Sequence, residues 1–261
     1  MAMLWRLGLE QPVLRGIRHC SMGDRHPVID PHGVHFVNRN CGTANAARFN
    51  QEPLNGEWRT IRHDAIAREV EGFAREAGFR TGWQPGPLAG LPADRKGDIE
   101  IYDFPCAGRS IIIDVTCVSS YSGDRRLRHA PDGEPLRSAR VAEAGKDASY
   151  TTLDRDRHGF MPLAFDVHGG VAPKADEFFQ RLAAIAVSKR TSLTEGPAFS
   201  AKYSVLLNKW RTRLSVAVHR EVANSILAGA RNARGGERIC PAEGSEGGVH
   251  LFEPVRPVVG S

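Results

Sequence analysis

The sequence predicts an α/β fold with a mixed central sheet, and three observations lead to this prediction. Two segments carry apolar residues at helical spacing and flank several short strand-like runs. One run, Ser110–Val118, is almost continuously apolar and β-branched, which is typical of a central strand buried on both faces. The predicted order is helix, three strands, helix, strand and two further helices, and this interleaving favours an α/β core.

The first predicted helix covers Ile61–Ala77, where the apolar residues include Ile66, Val70 and Phe73 at helical spacing, and Gly78 provides a C-terminal stop. The next elements are predicted strands at Phe79–Trp83, Gly97–Tyr102 and Ser110–Val118. After an arginine-rich loop at 120–135, the pattern predicts a helix over 136–153, a strand at Phe160–Val167, an amphipathic helix at Ala175–Val187 and a longer helix at Phe199–Leu227.

The flanking regions have a different composition. Residues 1–56 are rich in Gly and Pro and show no sustained periodicity, so we expect a loosely ordered N-terminal region there. We expect the folded domain at 57–193, a helical extension at 194–232 and a disordered tail at 233–261. A length of 261 residues also permits two small domains.

Composition narrows the environment and the class of protein. No apolar run approaches the roughly 20 residues that a membrane-spanning helix needs, so no membrane contact is expected. The five cysteines are scattered and odd in number, which favours a reducing intracellular compartment, nuclear if the source is eukaryotic. A net charge of +5 permits a polyanionic partner without requiring one. The motifs of P-loop enzymes, dinucleotide-binding enzymes, zincins and serine hydrolases are missing from the sequence.

A candidate metal site arises from two acidic residues on neighbouring predicted strands. Asp114 interrupts the buried strand and shares a face with Thr116, and a carboxylate there is costly unless it is paired or binds a metal. If the preceding strand pairs with this one as a hairpin, Asp98 converges on Asp114. Two carboxylates and a backbone carbonyl are ligands that suit Mg²⁺. The alternative is a core Asp114 that caps a turn or pairs with an arginine.

The following helix contributes two more candidates. Lys146 and Tyr150 are four residues apart and therefore lie on one helix face, together with the small residues Ala139 and Ala142. Close packing of that face on the sheet would bring Lys146 over the metal site, where it could act on water and on the charge of a phosphate. The alternatives are a solvated lysine and a half-buried packing tyrosine.

These motifs resemble the PD-(D/E)XK nuclease superfamily. They are Gly97-Asp98-Ile99, then Ile113-Asp114-Val115-Thr116, then Ala142-x-x-x-Lys146-x-x-x-Tyr150. More closely, they are similar to the restriction-enzyme-like endonuclease domain at the C-terminus of site-specific non-LTR retrotransposon proteins, and the Arg62-His63 pair with Ile66 also fits that domain. The resemblance covers roughly residues 58–190 and implies a restriction-endonuclease-like core. The superfamily often has Pro before its first Asp, where this chain has Gly97.

The resemblance implies a role for each matching residue. Asp98 and Asp114 would be metal ligands, together with the backbone carbonyl of Val115. Thr116 stands where the superfamily usually has its catalytic lysine, and Lys146 would be that lysine moved to the helix. The remaining implied catalytic residues are Tyr150 and a helix acid, Glu69 in preference to Glu71, whereas His63 is expected to pack at or cap the helix start.

Further expectations concern zinc and DNA. Cys20, His35 and Cys41 form a possible degraded zinc knuckle, a module that often precedes the nuclease in these retrotransposon proteins, and His26, His32 or His63 is a possible further ligand. Basic residues expected to contact the DNA backbone are Arg125, Arg126 and Arg128 in the polar loop and Lys209 and Arg213 on the last helix, with a solvated helix face as the alternative.

The resemblance therefore implies a retrotransposon-derived DNA endonuclease that depends on Mg²⁺ or Mn²⁺ and hydrolyses phosphodiester bonds. A second hypothesis is an inactive relative, a nuclease-fold module that binds nucleic acid without cutting it. A third is a structural α/β domain with no nucleic-acid role.

Overall fold

A computed structural model of the chain describes residues 11–15, 57–92, 96–119, 136–154 and 156–233. After a short 3₁₀ turn at Pro12–Leu14, the described elements are α1 (Glu57–Glu76), β1 (Thr81–Trp83), β2 (Ile99–Tyr102), β3 (Ser110–Val118), α2 (Arg137–Ser149), β4 (His158–Asp166), α3 (Pro173–Thr191) and α4 (Gly196–Ala233). None of the described helices is long and apolar enough to span a membrane.

The strands form a mixed sheet in the order β1-β2-β3-β4. The first three strands are antiparallel neighbours, and Ile99 of β2 lies opposite Ile113 of β3. Strand β4 runs parallel to β3, with Asp114 opposite Pro162. A parallel pair needs a long crossover connection, and α2 lies within that connection. The predicted α/β fold with a mixed sheet is confirmed, and the antiparallel pairing of β2 with β3 meets the condition on which the convergence of Asp98 and Asp114 depends.

Alternation along β3 divides the sheet into two faces. Ile111, Ile113 and Val115 belong to the large core beneath α1, α3 and α4. Ile112 points to the opposite face, where it packs with Tyr150 at the end of α2. Asp114 and Thr116 lie on this second face too, so the chain places its acidic residue on the side covered by α2.

Helix α4 is part of the same core as the sheet. The indole of Trp210 is fully buried and stacks on the ring of Phe73 in α1 with ring centroids 5.1 Å apart. Its Nε1 donates a hydrogen bond of 2.9 Å to the Glu76 carboxylate. The helical segment predicted beyond the domain therefore packs across α1 and α3 and completes the hydrophobic core.

Element boundaries differ slightly from those predicted. Helix α1 begins at Glu57, and strand β2 begins at Ile99. Asp98 lies just before β2, and its backbone N–H donates a hydrogen bond to Ile113 of β3. Most of the N-terminal region and the C-terminal tail lie outside the described residues, as do the candidate zinc ligands Cys20, His35 and Cys41 and the loop residues Arg125, Arg126 and Arg128.

If α4 completes the core, Trp210→Ala is expected to lower the free energy of unfolding by about 3–5 kcal/mol, because it removes a large buried ring and leaves a cavity. Urea denaturation followed by circular dichroism measures this change. Val205→Ala is the control on the same helix, since the Val205 side chain is 71% exposed and a change within about 0.5 kcal/mol is expected. Equal stability of the two variants would contradict the packing of α4.

Candidate active site

A pocket of about 560 Å³ lies between α2 and the sheet face that carries Asp114. It brings together residues from α1, the segment before β2, strand β3 and helix α2. Its lining residues are His63, Lys96, Asp98, Asp114, Thr116, Ala142, Gly145, Lys146, Ser149 and Tyr150. The pocket thus unites four of the five residues that the sequence assigned to catalysis, with Glu69 as the exception.

Asp98 is fixed by three hydrogen bonds that join it to β3 and α1. Its backbone N–H donates to the carbonyl of Ile113 at 2.9 Å. Its carboxylate oxygen Oδ2 accepts from the backbone N–H of Val115 at 2.6 Å and from Nε2 of His63 at 3.1 Å. These contacts orient the carboxylate before any ligand binds.

Gly97 allows this close approach of the Asp98 segment to β3. A Cβ atom at position 97 would lie only 2.3 Å from Cγ2 of Ile112 and 3.3 Å from the carbonyl oxygen of Ile113. Any side chain would therefore push the segment away from β3. This close approach accounts for a glycine at position 97.

Asp114 is a carboxylate in the sheet interior, with its side chain only 5% exposed. Nζ of Lys146 donates a 2.7 Å hydrogen bond to its Oδ1. Burial raises the pKa of Asp114, and the nearby charge of Asp98 raises it further, although the charge and the hydrogen bond of Lys146 oppose both effects. Two carboxylates that repel one another at a pocket form a place where a cation is stabilised.

Tyr150 lines the pocket, but its geometry indicates a positioning role. The residue is 2% exposed, and its ring stacks on Phe160 with centroids 4.1 Å apart. Its hydroxyl donates a 2.8 Å hydrogen bond to the carbonyl of Lys96. Tyr150 therefore ties the end of α2 to the segment that carries Asp98.

His63 is the pocket residue that sequence reasoning missed, because it was expected to pack at or cap the start of the helix or to serve as a further zinc ligand, and not to lie beside Asp98. Its Nε2 faces Asp98, and its Nδ1 faces Oδ1 of Asp64 at 3.0 Å. The hydrogen bond to Asp98 is the largest cause that raises the pKa of His63 to about 9, against an opposing effect of burial. At neutral pH His63 is therefore an imidazolium between the carboxylates of Asp64 and Asp98. The one sequence signal for it was the Arg62-His63 pair in the resemblance.

Glu69 does not reach the pocket. It lies six residues after His63, which is about 240° around an α-helix, so the two side chains point to different sides of α1. Oε2 of Glu69 pairs with the guanidinium of Arg213 at 2.8 Å. Glu71, the other candidate acid, accepts hydrogen bonds from Arg75 and Thr81. Of the α1 side chains that the structure describes, His63 is the one that lines the pocket.

The basic residues predicted to bind DNA on the last helix have intramolecular partners. Arg213 pairs with Glu69 and Glu76, and Nζ of Lys209 lies 3.2 Å from Oε2 of Glu76. Their positive charge is therefore partly compensated within the fold, because α1 presents its acidic residues to α4. Contact of these residues with DNA stays a prediction.

The donor set fits Mg²⁺ or Mn²⁺. Asp98 and Asp114 offer hard carboxylate oxygens, and the peptide of Val115 lies beside the Asp98 carboxylate. Within the described parts of the chain, no group of three or more His, Cys, Asp or Glu side chains is arranged to hold a metal. Two carboxylates are compatible with Mg²⁺, which keeps several of its waters. The role of the Val115 carbonyl stays a prediction.

Comparison with known proteins adds no family assignment, since no protein-family model and no curated protein sequence matches the chain.

The contact between His63 and Asp98 predicts a pH dependence. In the chelator-treated protein, an NMR titration of His63 is expected to give a pKa near 9, and Asp98→Asn should return it towards 6.5. Asp64→Asn is the matched control and should lower it less, because Asp98 is the larger cause.

The same shift affects stability. Because the folded pKa is raised, the stabilisation by His63 is fully present below about pH 6.5 and is lost as the pH rises through about 9. The difference in unfolding free energy between the wild type and His63→Gln should shrink over that range. A pKa of 6.5 for His63 in the wild type would contradict the prediction that His63 is protonated at neutral pH.

Proposed function

We propose that the chain is a metal-dependent DNA endonuclease domain of the PD-(D/E)XK type, derived from a retrotransposon protein. One observation carries the proposal. Asp98, Asp114 and Lys146 come from three separate segments and meet in one pocket. Their types and their order along the chain are those of the nuclease motifs that the sequence resembles.

In this proposal the two carboxylates hold Mg²⁺ or Mn²⁺. A divalent ion bound there would polarise a phosphoryl oxygen and lower the pKa of a bound water. His63 and the Val115 N–H keep Asp98 oriented towards the ion. Asp114 supplies the second oxygen ligand from the buried strand.

Lys146 acts on the phosphate. Its side chain is 36% exposed, so the ammonium group can reach the pocket opening as well as Asp114. A positive charge there stabilises the negative charge that develops on the phosphate as water attacks the phosphorus atom. Ala142 and Gly145 on the same helix face leave room for a nucleic-acid backbone, and the space beyond Gly145 is open.

A second candidate function is an inactive module that binds nucleic acid. One observation favours it: each carboxylate already has a cationic partner, His63 for Asp98 and Lys146 for Asp114. The pocket is therefore charge-compensated without a metal. DNA binding that weakens with salt and is not followed by cleavage would support this candidate.

A plasmid-nicking assay with Mg²⁺ or Mn²⁺ tests the nuclease. The wild type should nick DNA, and Asp114→Asn and Lys146→Met should each reduce the rate by about 100-fold or more, since each removes a group that stabilises the transition state. Asp176→Asn and Lys202→Met remove the same charges outside the pocket and should leave the rate unchanged. Circular dichroism verifies that each variant is folded.

An inactive wild type with both metals, or an Asp114→Asn variant that cuts at the wild-type rate, would refute the nuclease function.

The positioning role of Tyr150 has its own test. Tyr150→Phe keeps the stacking on Phe160 and removes the hydroxyl, which hydrogen-bonds the carbonyl of Lys96 and also the Asp114 carboxylate, so nicking should fall by about tenfold. The loss should be much smaller than for Asp114→Asn. A loss as large as that of Asp114→Asn would instead indicate that the hydroxyl takes part in the chemistry.

A further inference from the structure

The two cationic partners of the carboxylates differ in how firmly they are held. His63 is short and is bonded through both ring nitrogens, to Asp64 and to Asp98. Lys146 reaches Asp114 with a long flexible side chain through a single 2.7 Å hydrogen bond, and it is 36% exposed while Asp114 is 5% exposed. Lys146 thus extends from the edge of the pocket to a buried acid.

We propose that Lys146 is an exchangeable counter-ion, which neutralises Asp114 in the metal-free protein and leaves it when a divalent cation binds. This inference rests on the proposed function and adds a regulatory step to the same site. The exchange breaks one hydrogen bond from Nζ to Oδ1 and forms one bond between the metal and a carboxylate oxygen. No proton or electron needs to be transferred.

Electrostatics favour such an exchange. A carboxylate this deeply buried is costly without a positive neighbour, and Lys146 supplies that neighbour in the metal-free protein. A divalent ion on the same carboxylate would repel the ammonium group at close range. Lys146 is the group that moves, because its exposed side chain can rotate into solvent at little cost, whereas His63 is bonded on both sides.

The pocket has room for the displaced side chain. Gly145 precedes Lys146, and no atom lies within 4 Å of the position that a Cβ atom added to Gly145 would occupy. Once it has left Asp114, the ammonium group is free to bind a phosphate oxygen. The site would then assemble in order, with the metal first and the phosphate second, because Asp114 retains the phosphate-binding lysine until the metal replaces it.

Mn²⁺ binding measured by electron paramagnetic resonance tests the exchange. Lys146→Met removes the competing cation, so the Mn²⁺ affinity should increase about tenfold or more, the value of one charged hydrogen bond. Lys146→Gln should give a similar increase, because it keeps a hydrogen-bond donor but loses the charge. Lys174→Met is the matched control. Lys174 pairs with Asp147, which lies on helix α2 as Lys146 does but does not line the pocket, so the loss of Lys174 should leave the Mn²⁺ affinity unchanged.

A second measurement follows the side chain itself. Amine-selective labelling with mass spectrometry should show that MnCl₂ increases the labelling of Lys146 and leaves that of Lys174 unchanged. This readout uses the wild type and does not depend on the stability of a variant. Unchanged labelling of Lys146 at saturating Mn²⁺ would overturn the exchange.

The outcomes separate this inference from the nuclease function. Equal or weaker Mn²⁺ binding by both Lys146 variants overturns the exchange, and the nuclease function still stands if the wild type nicks DNA. Tighter binding by the variants with no nicking by the wild type supports the exchange and refutes the nuclease. If no form of the protein binds Mn²⁺, both fail.

Discussion

The burial of Asp114 is the constraint around which the pocket is built. Strand β3 lies between two layers of helices, and a carboxylate in such a strand loses its hydration. A positive partner from the covering helix offsets this loss, so α2 must present a lysine to this point of the sheet. The small residues on that helix face let it come close enough. Ala139 of α2 packs against Ala164 and Ala172, and this packing holds the helix where Lys146 can compensate the charge of Asp114.

Asp98 imposes a different requirement, since it lies before its strand begins. A residue in a connecting segment is oriented only if neighbouring elements bind it, and Asp98 is bound by β3 and α1. Gly97 allows the close approach to β3, and Tyr150 ties the preceding Lys96 to α2. The two carboxylates are thus fixed by different means: that of Asp114 by its place in the sheet, and that of Asp98 by hydrogen bonds from Val115 of β3 and His63 of α1.

The helices and strands were predictable because periodicity along the chain depends on local burial. The convergence of Asp98 on Asp114 was also predictable, since it needs only a hairpin pairing of two recognised strands. The side of α1 that faces the pocket was not predictable. The spacing of apolar residues identifies the buried side of a helix, but it does not show which neighbouring residue lies at the edge of the sheet. Glu69 was preferred to Glu71 because it lies closer to the apolar face, but Glu69 pairs with Arg213, and His63 is the α1 residue that lines the pocket. The partners of Lys209 and Arg213 were equally hidden, because they lie more than 100 residues earlier in the chain.

Charge balance connects the metal-free pocket with the proposed chemistry. Asp98 and Asp114 each face one cationic partner, His63 and Lys146, and Asp64 is a further carboxylate beside His63. A divalent ion bound to the two pocket carboxylates would bring its charge close to the Lys146 ammonium group, which is unfavourable next to the sheet interior. Release of Lys146 from Asp114 relieves that repulsion, and a phosphodiester adds a negative charge that offsets part of the excess positive charge. The arrangement therefore favours binding of metal and phosphate together over binding of metal alone. It also favours contact of Lys146 with the phosphate over its return to Asp114.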